Sequence, residues 1–216
     1  MSNIKLVMLD FDGTIADSFA SVIYCAGKMC AEEGLPFDKT IIEQNMGCTT
    51  EDCISLITDS KDPALIKRLT AAYNVIYSNE GLDMIKLFDG VLETVQRLHA
   101  QGVKFVITSN NIVPAISYVV NRLGLMPYLD EIIGVECVEH GKPEPDIAIE
   151  ALRRTGIAPE EAVAVGDSLF DMCMGRGAGC HCCGVSYGCD STQVLTEYGA
   201  EWVIDSFSEL EKIILG

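Results

Sequence analysis

Four short apolar runs, each stopping abruptly at polar residues, organise most of this chain. Residues 4–9 end at Asp10-Phe11-Asp12-Gly13. Residues 103–108 end at Ser109-Asn110-Asn111. Residues 131–135 lead into a loop carrying Gly141-Lys142-Pro143-Glu144-Pro145-Asp146. Residues 162–165 end at Gly166-Asp167-Ser168, with Asp171 four residues after Asp167. Runs this short and this continuously apolar read as strands buried on both faces. Between them lie stretches with helical spacing, residues 91–100, 113–123, 147–155 and 169–178. Strand and helix alternating in this way predict right-handed crossovers and a doubly wound parallel sheet, an α/β, Rossmann-like core. Strands pointing one way deliver the residues after them to one edge, where open α/β sheets bind ligands. Asp10, Asp12, Ser109, Lys142 and Asp167 are therefore expected to converge.

Residues 18–85 break the alternation. No strand-like run bounded by turn signals occurs there, and helices are expected over 19–33, 39–45, 51–59 and 63–78. Their starts are predicted at Asp38, at Thr50 and at Asp62-Pro63. The chain should thus divide into a core, residues 1–16 and 86–216, and an inserted helical cap, residues 17–85. The crossings near residues 15–17 and 87–90 are the natural hinges. In the cap, Asn45-Met46-Gly47-Cys48-Thr49-Thr50 is a small polar loop able to reach the sheet edge, and Lys28, Lys61, Lys67 and Arg68 are candidate anion partners. Ile41, Ile42, Ile54 and Ile57 are expected in the helical core.

Composition narrows the function classes. The chain has 216 residues, 49% of them hydrophobic, enough for one α/β domain and an insertion. Its formal charge, 15 − 32 = −17, argues against nucleic acid or an anionic membrane as partner. No run reaches the length of a membrane span and no signal-peptide pattern precedes the first strand, so a cytoplasmic location is expected. Ten cysteines in such a chain predict free thiols. Cys180-His181-Cys182-Cys183 with Cys189 invites a zinc reading. Adjacent residues of a strand face opposite sides, however, and no CxxC pair occurs there, so packing is the expected role. His99, His140 and His181 match no acid–base pattern.

Four motifs in order, Asp10-Phe11-Asp12-Gly13-Thr14-Ile15-Ala16-Asp17-Ser18, then Ser109, then Gly141-Lys142-Pro143-Glu144-Pro145-Asp146, then Val165-Gly166-Asp167-Ser168-Leu169-Phe170-Asp171, resemble those of the haloacid dehalogenase-like hydrolases, in their phosphoglycolate phosphatase-like branch. The resemblance implies a phosphatase with a helical cap. A phosphomonoester and an attacking carboxylate repel each other unless a cation lies between them, so Mg²⁺, with its preference for oxygen ligands, is the expected cofactor. Asp10 would attack phosphorus and form an aspartyl-phosphate. Asp12 would bind the metal through its backbone carbonyl and use its carboxyl as acid and then base. Asp167 would be the far metal ligand, with Asp171 supporting it. Lys142, Ser109, Asn110 and the backbone donors of Phe11 and Gly13 would hold the phosphoryl oxygens.

Local alternatives exist for three of these. Ser109 could cap the helix near Val113, Lys142 could be an exposed loop lysine, and Asp171 could stabilise a first helical turn. Other activities share the scaffold. A dehalogenase needs no acid such as Asp12. A β-phosphoglucomutase-like enzyme resembles Glu-Asp at the fourth motif, where this chain has Gly166-Asp167. Pyrophosphatase, nucleotidase and silent binding protein complete the alternatives. A small phosphorylated metabolite is the expected substrate, with phosphoglycolate the leading candidate.

Overall fold

A computed structural model describes residues 4–216. In chain order, β1 (Leu6–Leu9) and β2 (Ala16–Asp17) precede the helices α1 (Phe19–Glu33), α2 (Lys39–Glu43), α3 (Thr50–Thr58) and α4 (Pro63–Ile76). Then follow β3 (Lys86–Leu87), α5 (Val91–His99), β4 (Lys104–Thr108), α6 (Val113–Arg122), β5 (Glu131–Ile133), α7 (Asp146–Thr155), β6 (Ala162–Gly166) and α8 (Leu169–Gly177). The chain closes with β7 (His181–Val185), α9 (Thr192–Glu197), β8 (Trp202–Ile204) and α10 (Leu210–Leu215).

Six strands form one sheet in the order β5-β4-β1-β6-β7-β8, and every pairing within it is parallel. The alternation of side chains explains the layers. Val7, Leu9, Phe105, Ile107, Val163 and Val165 face the helices α5, α6 and α10. Leu6, Met8, Val106, Ala162 and Ala164 face α7, α8 and α9. All four residues of β1 are buried, as its unbroken apolar run requires. The first crossovers run from β1 out through β4 to β5, and the chain then returns to β6 on the other side of β1. That reversal puts the switch point of the sheet at the end of β1, beside Asp10.

The helices α1 to α4 pack on one another rather than on the sheet. Asp38, Thr49 and Asp62 cap α2, α3 and α4 through side-chain acceptors. The α3 cap is thus Thr49, one residue before the expected Thr50, and α2 stops at Glu43 rather than 45. After α4 the backbone widens into a π-helical turn, Tyr77–Gly81. Where the chain leaves and rejoins the core, β2 and β3 pair antiparallel, Ala16 opposite Leu87 and Asp17 opposite Lys86. Two-residue strands carry no periodic signal, and this ribbon was not foreseen. Cys182 and Cys183 do point to opposite faces of β7, each into a separate apolar cluster. Among the described residues no helix is long and apolar enough to cross a membrane.

Candidate active site at the switch point

Ile107 and Val165 both pair in register with Leu9, so Ser109 and Asp167, each two residues further on, flank the chain where it leaves β1. Asp10, Ser109, Lys142, Asp167 and Asp171 are all buried there. Hydrogen bonds close the first loop: Phe11 O accepts from both Ile15 N and Ala16 N, and Gly13 N donates to Ala16 O. Gly13 has φ +81° and a Cβ at that position would collide with the Asp167 carboxylate, so only glycine fits. The same bonds correct an expectation, because the Gly13 N–H serves the loop and is not free to hold a phosphoryl oxygen. Among the described residues no carbonyl or side chain accepts from the N–H of Phe11.

The charges at the site are unequal. Lys142 Nζ donates to Asp10 Oδ1 at 2.6 Å and to Asp171 Oδ1 at 2.5 Å. Burial alone would pull the lysine pKa down, but the two carboxylates outweigh it and leave the ammonium above its ordinary value. Lys142 is therefore not an exposed loop lysine. Asp171 also caps α8, accepting from Ser168 N at 3.1 Å and Ser168 Oγ at 2.6 Å, so both its oxygens are engaged by donors. It both stabilises the first turn and holds Lys142. Burial raises the Asp10 pKa to about 7 against the opposing pull of Lys142. Asp167 meets Cys189 N at 2.8 Å and Thr14 Oγ1 at 3.3 Å. Burial, reinforced by the Asp10 and Asp171 charges, pushes its pKa well above the usual range.

This donor set fits a divalent metal ion. Oxygens of Asp10, Asp167 and Asp171 lie within 4.8 Å of one another; Lys142 pairs with Asp10 and Asp171, and among the described residues no cation forms an ion pair with Asp167. Buried carboxylates without a counter-charge are costly, and an all-oxygen cluster suits a hard cation. With Asp171 engaged elsewhere, Asp10 and Asp167 are the carboxylates available to a metal.

Asp12 stands apart from Lys142. Its Oδ2 accepts from Asn111 Nδ2 at 3.2 Å, and its Oδ1 is buried with no partner. Burial raises its pKa, opposed first by the neighbouring Ser18 hydroxyl and then by Asn111. Asn111 also donates to Tyr77 Oη at 3.2 Å, which joins the helical insert to Asp12; this role was missed, although Asn111 ends the polar run after β4. Ser109 does not cap α6: the N-cap residue is Ile112, and the first N–H of the helix, Val113 N, donates to Glu136 Oε1 at 2.7 Å. The Ser109 Oγ accepts instead from Asn111 N at 3.1 Å. The Asn110 side chain is a correction too. Its Nδ2 donates to Gly47 O at 2.8 Å and Lys142 O at 3.1 Å, while its Oδ1 accepts from Lys142 N. It is occupied as a clasp between three loops, not as a phosphate donor.

Over Asp10 and Asp12 lies a cavity of about 90 Å³. Ser109, Asn110 and Asn111 form its floor, and the loop after α2 and the helices of the insert form its roof. The sequence pattern of the haloacid dehalogenase-like hydrolases matches residues 7–185. This chain belongs to the haloacid dehalogenase-like hydrolases. A phosphoglycolate phosphatase of Thiobacillus denitrificans is 29% identical over 212 residues, 95% of this chain and 93% of that one. A pyrophosphatase, PpaX, of Bacillus velezensis is 24% identical over 96% of this chain and 94% of its own length. A solved haloacid dehalogenase-like hydrolase structure from Bacteroides fragilis superposes with a TM-score of 0.92 at 26% identity, covering 96% of this chain and 99% of that one. Relatives named for different activities thus span this hydrolase almost end to end.

Proposed function

We propose that the protein hydrolyses a small phosphomonoester, with Mg²⁺, through a phosphorylated Asp10. The observation that carries this reading is the pairing of two aspartates two residues apart with different partners, opening on one cavity. Asp10 is held by Lys142 and Asp12 is held by Asn111 with one oxygen unpartnered. Asp10 forms the bond to phosphorus while the bond from phosphorus to the ester oxygen breaks. Asp12 delivers a proton to that leaving oxygen, for which a raised pKa suits it. In the second half Asp12 takes a proton from water, water oxygen bonds to phosphorus, and the bond to Asp10 breaks, releasing phosphate. The Ser109 hydroxyl, the Phe11 N–H and the Lys142 ammonium hold the phosphoryl oxygens. Asp10, Asp167 and the Asp12 carbonyl would hold the metal. When bound, it supplies positive charge between the attacking carboxylate and the phosphate.

Residues 17–85 act in this reading as a cap that shields the phosphorylated aspartate and admits water on opening. The test is phosphate release from a generic aryl phosphate with Mg²⁺, with and without a chelator, in the wild type and in Asp10→Asn. Chelation should abolish turnover and Mg²⁺ restore it. Asp10→Asn should lower kcat by roughly four orders of magnitude or more, as losing a covalent nucleophile does. Undiminished turnover in Asp10→Asn would sink the mechanism.

A further inference from the structure

The roof of the cavity selects what leaves from phosphorus, and its chemistry is one-sided. Met29, Ile42, Met46 and Ile54 give it apolar walls. The polar groups it offers are amides, hydroxyls and thiols, among them Asn45, Thr50, Asn74 and Tyr77, with no carboxylate or cation. Ionisable carboxylates among the lining residues come only from the floor, Asp10 and Asp12, and no lysine, arginine or histidine lines the space. The five cations of residues 17–85 are engaged or placed elsewhere. Lys28 pairs with Glu80 at 2.5 Å, Lys39 with Glu43 at 2.7 Å and Arg68 with Glu33 at 2.5 Å. Lys61 and Lys67 are exposed and do not reach the cavity. Two helices start at the space: α3, at Thr50, carries Glu51 and Asp52 in its first turn, which offset its dipole, and the first N–H of α6, Val113 N, is already taken by Glu136 Oε1 at 2.7 Å.

A second anionic group brought here would be desolvated without a counter-charge, against carboxylates below and a molecule of formal charge −17. Resting on the phosphatase reading, we infer that the alcohol leaving from phosphorus is small and uncharged, carbon-rich on one side and bearing hydroxyls or similar neutral polar groups on the other. The space, about 90 Å³ or the volume of about three waters at liquid density, sets the size. Phosphoglycolate and pyrophosphate, each with a further anionic group, are disfavoured. The expectation that Lys28, Lys61, Lys67 or Arg68 would greet such a group fails, and Ile42, Ile54 and Ile57 line the space as well as the helical core.

The experiment compares kcat/KM for phosphate release from 2-hydroxyethyl phosphate and from phosphoglycolate, which differ in a hydroxymethyl against a carboxylate, with pyrophosphate alongside. The neutral ester should win by about tenfold or more. The preference should persist at about 1 M salt, where the screening length is about 3 Å, because it arises inside the cavity. Thr50→Lys, which places a cation at the rim, should shift the ratio towards phosphoglycolate. Equal or better use of phosphoglycolate or pyrophosphate by the wild type would overturn the inference while leaving the phosphatase standing. So would a preference that vanishes at high salt, since long-range repulsion would then explain it. Failure to release phosphate from any of the three substrates and from the aryl phosphate would overturn both readings.

Discussion

Asp10 is caught between a cost and a partner, and its proton reports the balance. Burial raises its pKa from 3.8 to about 7 even with Lys142 2.6 Å away. The native carboxyl therefore holds a proton that the unfolded chain gives up near its ordinary value. The stability this contributes is full below the unfolded pKa and is lost as pH rises through about 7. Chelated protein should accordingly melt at lower temperature as pH is raised from about 4 to about 7. A metal ligand must be deprotonated, so Mg²⁺ should bind more tightly as pH rises through the same upper value, with proton release on binding. Calorimetric titration in buffers of different ionisation enthalpy measures that proton. A binding constant flat between about pH 6 and pH 8 would remove Asp10 from the metal site. The neighbouring aspartates divide the remaining work by their contacts: among the described residues Asp167 pairs with no cation, Asp171 holds Lys142 and its own helix, and Asp12 faces the cavity with an unpartnered oxygen.

Between elements, the connection that matters most runs through Asn110, which lies two residues past the end of β4 and joins Gly47 of the insert to the loop of Lys142. Asn110→Ala removes two donors and one acceptor at once. It should loosen the loop at residues 45–50 and raise KM, with a fall in kcat/KM of about tenfold, the cost of one to two kcal/mol in held geometry. Amide exchange at residues 46–48 should quicken in the variant; unchanged exchange and kinetics would mean the clasp is ornamental. Such a clasp could not be read from the sequence. The runs before Asp10, Ser109 and Asp167 announced their strands because continuous apolar residues over one strand length have few other homes. The Lys142 loop was legible only through its motif, since nothing in Gly-Lys-Pro requires burial. The β2–β3 ribbon, the Gly13 N–H turned inward and the Asn111–Tyr77 contact depend on partners between 3 and 71 residues away, and local pattern carries no such information. The empty-handed cap cations failed for the same reason. Glu80 and Glu33 claimed two of them, Lys28 and Arg68.

Across the whole molecule, two parts of different character meet at the cavity. The sheet supplies the reacting residues, and the packed helices of residues 17–85 supply its roof through a two-residue ribbon and a few side-chain bonds. The loop and helices at residues 40–60 are held to the sheet residues by few hydrogen bonds, so their opening should be a low-energy event, seen as rapid exchange there against slow exchange in β1, β4 and β6. Comparable protection in both regions would argue for a fixed roof. The three strands that carry Asp10, Ser109 and Asp167 are neighbours at the middle of the sheet, β4-β1-β6, and hydrogen bonds to Leu9 fix their level. Ageing and heat therefore have no way to blunt the floor of the site by degrees. It cannot fray from an edge, as a site built on β5 or β8 could, and its failure is the failure of the fold. A preparation warmed towards its melting temperature should become a mixture of fully competent and wholly dead molecules, with the count of live sites falling while the turnover of each remains unchanged.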